Sequence, residues 1–151
     1  MKVIDKFDDK ENESGGTHAF LSNFYPCNVT YEGLTYPTSE HAYQAAKTLN
    51  MNARKVFTLS SMTAAMSKHL GQAVVLRPNW DTVKLAVMSD ILTAKFSDPT
   101  LRKLLIDTGD AELIEGNTWG DTFWGVCDGK GNNFLGKALM DLRKKLTTPT
   151  A

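Results

Sequence analysis

Few thiols, few imidazoles and no surplus of charge set the first limits on this chain of 151 residues. The two cysteines, Cys27 and Cys127, form no C-x-x-C, and His18, His41 and His69 lack metal-ligand spacing. That pattern predicts reduced thiols, no metal site and a cytosolic setting. Lys and Arg number 17 and so do Asp and Glu, giving zero formal charge. This balance argues against a protein whose main affinity is a broad cationic surface for DNA or RNA, while leaving room for a local basic pocket. No apolar run approaches the ~20 residues that span a bilayer. The start, Met-Lys-Val-Ile-Asp-Lys-Phe-Asp-Asp, is too charged for a signal peptide, and no lipidation motif is present. Neither G-x-x-x-x-G-K-[ST] nor G-x-G-x-x-G occurs.

The length fits one domain, residues 1–151, with an ordinary soluble composition. Residues 8–17 are polar, end near Gly15-Gly16 and read as a loop after a short first strand. Residues 28–36 read as a β-hairpin turning at Glu32-Gly33. Helices dominate thereafter. Thr38 caps one ending near Leu49, and short helices follow over 52–59 and 61–70, the second terminated by Gly71. Asn79 caps a long helix to about Phe96 with Val83, Ala86, Val87 and Ile91 as its buried stripe. Asp98-Pro99 opens a helix that ends at Gly109. Residues 111–115 alternate like a strand, and 116–133 read as loop. A last helix, from Asn133 to about Leu146, buries Leu135, Ala138, Leu139, Leu142 and Leu146, with Arg143, Lys144 and Lys145 suiting its C-terminal end. The class is α+β, mostly helical, with a small antiparallel sheet and five or six helices.

The block Tyr36-Pro-Thr-Ser-Glu-His-Ala-Tyr-Gln-Ala-Ala-Lys47 carries the most chemical information. It puts Glu40 in the first turn of a helix, with Gln44 and Lys47 on the same face. An acid, an amide and a cation on one stripe suit a polar, phosphorylated ligand. The plain explanation of Glu40 is the helix dipole, which favours acids there by ~0.3–1 kcal/mol. His41 points about 100° away from Glu40, so the two are no automatic dyad, and a buried hydrogen-bonded ring explains it as well. Downstream, Asp121 lies between Trp119 and Trp124, either as a turn residue or as an acid beside a stacking shelf. Residues 125–136, running into the last helix, suit a phosphate-binding helix start or a capped turn equally. Trp80 and Lys84 share a helical face, with Lys95-Phe96 three turns on; an aromatic beside a lysine suits a base and a phosphate, or core packing with a snorkelling amine.

Taken in order, these segments resemble the NADAR (YbiA-like) family. The matching pieces are Phe20-Leu-Ser-Asn-Phe-Tyr-Pro26, the Tyr36-to-Lys47 block, Asn79-Trp80 with Val83-Lys84 and Met88, Ala94-Lys-Phe96, Thr108-Gly109, Leu113-Ile-Glu115, Asp121 with Phe123-Trp124-Gly125, and Gly129-to-Gly136 leading into Leu139-Met140 and Arg143. They cover about residues 18–146. The resemblance implies an α+β fold and hydrolysis of a ribose C1–N bond without a cofactor or metal. Family substrates are phosphoribosylated pyrimidine intermediates of riboflavin biosynthesis or ADP-ribosylated guanine in DNA. A non-catalytic ADP-ribose-binding module is the rival of another class. Carried over by motif, the acids fall on Glu40 and Asp121. The substrate pocket falls on Asn23, Phe24, Lys47, Trp80, Lys84, Trp124 and Asn133. Glu40 is then the stabiliser of positive charge or the base, and Asp121 orients ribose or shares proton transfer, or the roles are exchanged. The expected partner is a small phosphoribosyl or ADP-ribosyl substrate or ADP-ribosylated DNA, with no membrane.

Overall fold

Hydrogen-bonding side chains at the element ends decide where the helices of this chain begin. The computed structural model describes residues 2–7 and 17–148; the loop expected over 8–17 falls almost wholly outside them. The described residues form β1 (Val3–Ile4), a 3-10 turn (Ala19–Leu21), β2 (Val29–Tyr31), β3 (Leu34–Tyr36), α1 (Ser39–Ala46), α2 (Met51–Val56), α3 (Ala64–Leu70), α4 (Trp80–Lys95), α5 (Pro99–Asp107), β4 (Glu112–Leu113), β5 (Gly116–Asn117), β6 (Val126–Cys127) and α6 (Phe134–Thr147). The α+β class holds. Contacts divide the chain into two units, one of Met1–Ser22 with Phe96–Ala151, the other of Asn23–Lys95.

In the Asn23–Lys95 unit, β2 and β3 make the expected antiparallel hairpin, with Val29 opposite Tyr36. Glu32 and Gly33 have φ of 47° and 88°, the double positive-φ turn whose twist matches that of the strands. Val29, Tyr31 and Tyr36 are buried, while Thr30 and Thr35 pair by their hydroxyls on the outer face. Thr38 accepts from the His41 N–H and starts α1. The helix stops at Ala46 rather than near Leu49. The following segment is drawn out: Thr48 offers its carbonyl to Arg54, and Asn50 caps α2 through the Ala53 N–H. Arg54 is buried and also donates to Glu32. Thr63 caps α3. α3 and α4 both pack on α1, and α4 also covers β2.

The buried stripe of α4 differs from the expected one. Trp80, Val87, Met88, Ile91, Leu92 and Lys95 are buried, whereas Val83 is half-buried and Ala86 is exposed. Larger side chains on the adjoining face hold the core contact, since they bury more apolar area. Asn79, with φ of 61°, lies left-handed just before the helix, and its carbonyl accepts from Thr82 and Val83. Gly71 ends α3 as expected, in a right-handed conformation with φ of −58°.

In the other unit, Asp98 caps α5 through the Leu101 N–H with Pro99 in the first turn, and Gly109 turns the chain at φ of 65°. β1 and β4 pair in parallel, Ile4 beside Leu113. The stretch expected to be loop carries a second parallel pair, Gly116 beside Val126 and Asn117 beside Cys127. The strands therefore form two-stranded ladders, one antiparallel and two parallel, in place of one antiparallel sheet. α6 packs on β4 and α5. Leu135, Leu139 and Leu142 are buried as expected; Ala138 and Leu146 are half-buried. Arg143 turns inward and donates to the Thr108 hydroxyl at 2.9 Å.

Asn133 precedes α6 at φ of 54° and makes no side-chain cap. Its Oδ1 instead accepts from the Glu115 N–H and its Nδ2 donates to the Leu113 carbonyl, both at 2.9 Å. Asn133→Ala strands both backbone groups in a buried place, so unfolding free energy should fall by about 3 kcal/mol. Urea denaturation measures this; a loss below about 1 kcal/mol would show that the bridge is dispensable.

His41 is 2% exposed. Its Nε2 is 2.6 Å from the Met62 carbonyl and its Nδ1 is 2.7 Å from the Thr38 hydroxyl. A carbonyl only accepts, so Nε2 carries a proton, and the Thr38 hydroxyl is able to donate to Nδ1 of a neutral ring. Burial pushes its pKa below 6.5, partly opposed by the bond to Met62. The unfolded chain thus takes up this proton first. The associated stability is present above about pH 6.5 and is lost as pH falls through the lower folded value. Between about pH 7 and about pH 5 the wild type should lose more stability than His41→Gln; parallel falls in urea titrations would refute this.

Candidate active site

Glu40 sits in the first turn of α1 and is only 8% exposed. Its backbone N–H donates to the Asn23 carbonyl at 2.9 Å, fixing the helix start against the segment before β2. Ser39 reinforces this junction by donating to Asn23 Oδ1 at 2.9 Å. The Asn23 amide in turn reaches Met88 Sδ on α4. The Asn23 side chain therefore positions the Glu40 turn. Gln44, one turn on, donates from Nε2 to Glu40 Oε2 at 2.6 Å.

Lys47 lies within the field of this carboxylate. Burial lowers the pKa of Lys47, the nearby charge of Glu40 raises it, and the charges of Lys84 and Lys68 lower it further. Lys47, at the end of α1, thus shares its field with Lys84 of α4 and Lys68 of α3. Lys84 also pairs with exposed Asp81 at 3.1 Å. Lys47 stands over the Tyr43 ring at 5.7 Å, and Tyr43 leans on Trp80 at 5.4 Å. Trp80 is nearly buried behind Tyr43. Phe24 is 43% exposed. Asn23, Glu40, Lys47, Trp80 and Lys84 thus belong to one connected arrangement within the Asn23–Lys95 unit. Lys68 and Tyr43 were not singled out from the sequence; each carries an ordinary helix-surface or core signal, and only the packing brings them to Lys47. Lys95 is buried under the Tyr25 ring, and burial pulls its pKa to about 8.

Asp121 belongs to the other unit. Its Oδ1 accepts from the N–H groups of Phe123 and Trp124 at 3.1 and 3.0 Å. Asn117 braces the turn from both sides, accepting from the Asp121 N–H and donating to its carbonyl. Trp124 meets Phe123 edge-on at 4.9 Å, and Phe123 packs on Phe134. The carbonyl of Trp124 accepts from Leu135 in the first turn of α6. Asp121, Trp124 and Asn133 therefore share one hydrogen-bonded segment, in which Asn133 is committed to backbone. Trp119 is 58% exposed. Among the described residues no three His, Cys, Asp or Glu side chains gather as metal ligands, and no helix is long and apolar enough to cross a membrane. Both cysteines are free thiols.

Comparison with known proteins extends these observations. The N-glycosidase YbiA of Escherichia coli (strain K12) is 41% identical over 129 residues, covering 83% of this chain and 80% of that protein. An N-glycosidase of Nostoc punctiforme is 34% identical over 132 residues, covering 83% of this chain and 84% of that protein. A riboflavin biosynthesis protein of Vibrio vulnificus is 38% identical over 138 residues, covering 89% of this chain but 37% of that longer protein. The NMR structure of the E. coli protein YbiA matches with a TM-score of 0.79 at 37% identity, covering 97% of this chain and 86% of that one. The NADAR domain model matches residues 7–147, and the chain belongs to the NADAR domain family.

Proposed function

We propose that this protein hydrolyses the bond between ribose C1 and the nitrogen of a phosphoribosylated, pyrimidine-like metabolite of the riboflavin-biosynthesis kind. Hydrolysis of N-glycosyl bonds is the activity its relatives are named for. The observation that supports the substrate class is the buried Glu40 carboxylate beside Lys47, which in turn feels the charges of Lys84 and Lys68. A carboxylate beside cations suits a sugar that becomes positive at C1 while its phosphate stays negative. Zero net charge favours a small substrate over an extended nucleic acid.

The chemistry follows from charge. As the C1–N bond lengthens, its electron pair leaves with the nitrogen and positive charge develops on the sugar, as in O-glycoside hydrolysis. Glu40 stabilises that charge and orients a water toward C1. The water oxygen bonds to C1, one of its protons is released, and the departing nitrogen takes up a proton. The lysines hold the phosphate, which fixes the ribose relative to Glu40. Asp121 is assigned to orienting ribose or sharing proton transfer, on the motif that surrounds it. Phe24 and Trp124 are assigned to the base.

Glu40→Gln keeps the side-chain shape and removes the charge. Its kcat should fall by about 10²–10⁴-fold with the fold intact. Full activity in this variant would remove Glu40 from the reaction. Lys84→Gln should raise KM about tenfold with kcat nearly kept; the reverse pattern would place Lys84 in the chemical step. Base release followed by mass spectrometry decides the substrate. Cleavage of a phosphoribosylamino-pyrimidine is the expected result. Cleavage of a guanine-ADP-ribosylated oligonucleotide alone would overturn the metabolite reading, and binding of ADP-ribose with cleavage of neither would overturn catalysis.

A further inference from the structure

Gln44 is 4% exposed and its amide is used unequally. Nε2 donates to Glu40 Oε2 at 2.6 Å. Oε1 is buried and has no hydrogen-bond partner among the described residues. It lies against Gly71 at the end of α3. A Cβ built on Gly71 would collide with Oε1 and would stand 2.8 Å from Gln44 Cδ. The Gly71 backbone has φ of −58° and ψ of −22°, open to every L residue. Its conformation does not require glycine; the neighbouring amide does.

A buried acceptor with no partner from the protein adds nothing to stability, whereas an apolar side chain of similar shape leaves no such group to satisfy. A purely structural position therefore has little use for glutamine. The gain lies with Glu40. An ionised carboxylate only accepts, so it needs a donor turned toward it. A donor that is itself clamped between α1 and α3 fixes the direction in which the carboxylate faces.

We infer that Gln44 is a positioning residue for Glu40, turning the carboxylate one way and supporting its charge, with Gly71 as the clearance that admits the amide. This rests on the reading of Glu40 as the carboxylate at the sugar.

The first test needs no substrate. The Glu40 carboxyl carbon is titrated by ¹³C NMR in the wild type and in Gln44→Met, with Glu40→Gln supplying the assignment. Loss of a hydrogen bond to the charged form should move the midpoint up by about one unit. An unmoved midpoint overturns the inference whether or not the protein turns over any substrate. Where the wild type does release base, the acid limb of kcat/KM should move upward in Gln44→Met. There kcat should fall about tenfold or more while KM stays near the wild-type value. A wild-type profile in an active Gln44→Met overturns the inference and leaves the N-glycosidase reading standing. A wild type inactive on both substrates overturns that reading and leaves the NMR result to judge Gln44. The clearance is tested by a double-mutant cycle in urea. Gly71→Ala should destabilise strongly beside Gln44 and little beside Gln44→Ala; additive losses would show that Gly71 serves the backbone alone.

Discussion

A carboxylate withdrawn from water has to be held by donors and cations, and the Asn23–Lys95 unit is arranged around that requirement. Burying an ion unaided costs several kcal/mol. Glu40 meets this with the Gln44 amide one turn along α1 and with the charge of Lys47 nearby. Lys47 is itself partly desolvated, so acid and base support each other: the burial that lowers the Lys47 pKa is opposed by Glu40. The turn that carries Glu40 is anchored separately by Asn23, Ser39 and Thr38. Position and charge are thus held by different bonds.

Asp121 is held in another way. Its Oδ1 is taken up by two backbone N–H groups of the turn that follows. Such a carboxylate shapes its loop first. The two acids therefore differ in surroundings: one is buried beside an amide and in the field of a lysine, the other is woven into a turn. Asp121 is thus a residue whose orientation is set before anything binds.

Local signals in the sequence were legible where one residue decides a geometry. Thr38, Asp98 with Pro99, and the Glu32-Gly33 turn all act as their side chains and backbone preferences dictate. The block containing Glu40 also announced its face correctly, since Gln44 does reach Glu40 at i+4. Elements that depend on distant partners were not legible. β5 and β6 are two residues each, include glycine and asparagine, and exist only because they pair in parallel with each other. On α4 the period was right, but it did not tell whether Ala86 or Met88 and Leu92 face inward. Gly71 ends α3 and Asn133 precedes α6 as the sequence suggested, the latter without a side-chain cap. Their contacts come from other elements: the Gln44 side chain for Gly71, and the Leu113 and Glu115 backbone for Asn133. Lys68 offers no sequence cue that it shares a field with Lys47.

All eight residues of α1 are buried. A helix normally keeps a wet side on which substitutions accumulate without penalty. α1 has none, so the segment bearing Glu40 has almost no neutral positions through which it could drift. New preferences in such a protein have to be explored from less buried positions of the same unit, such as Phe24 and Lys84. The helix itself would change only through paired replacements, and Gln44 with Gly71 is the pair the packing singles out.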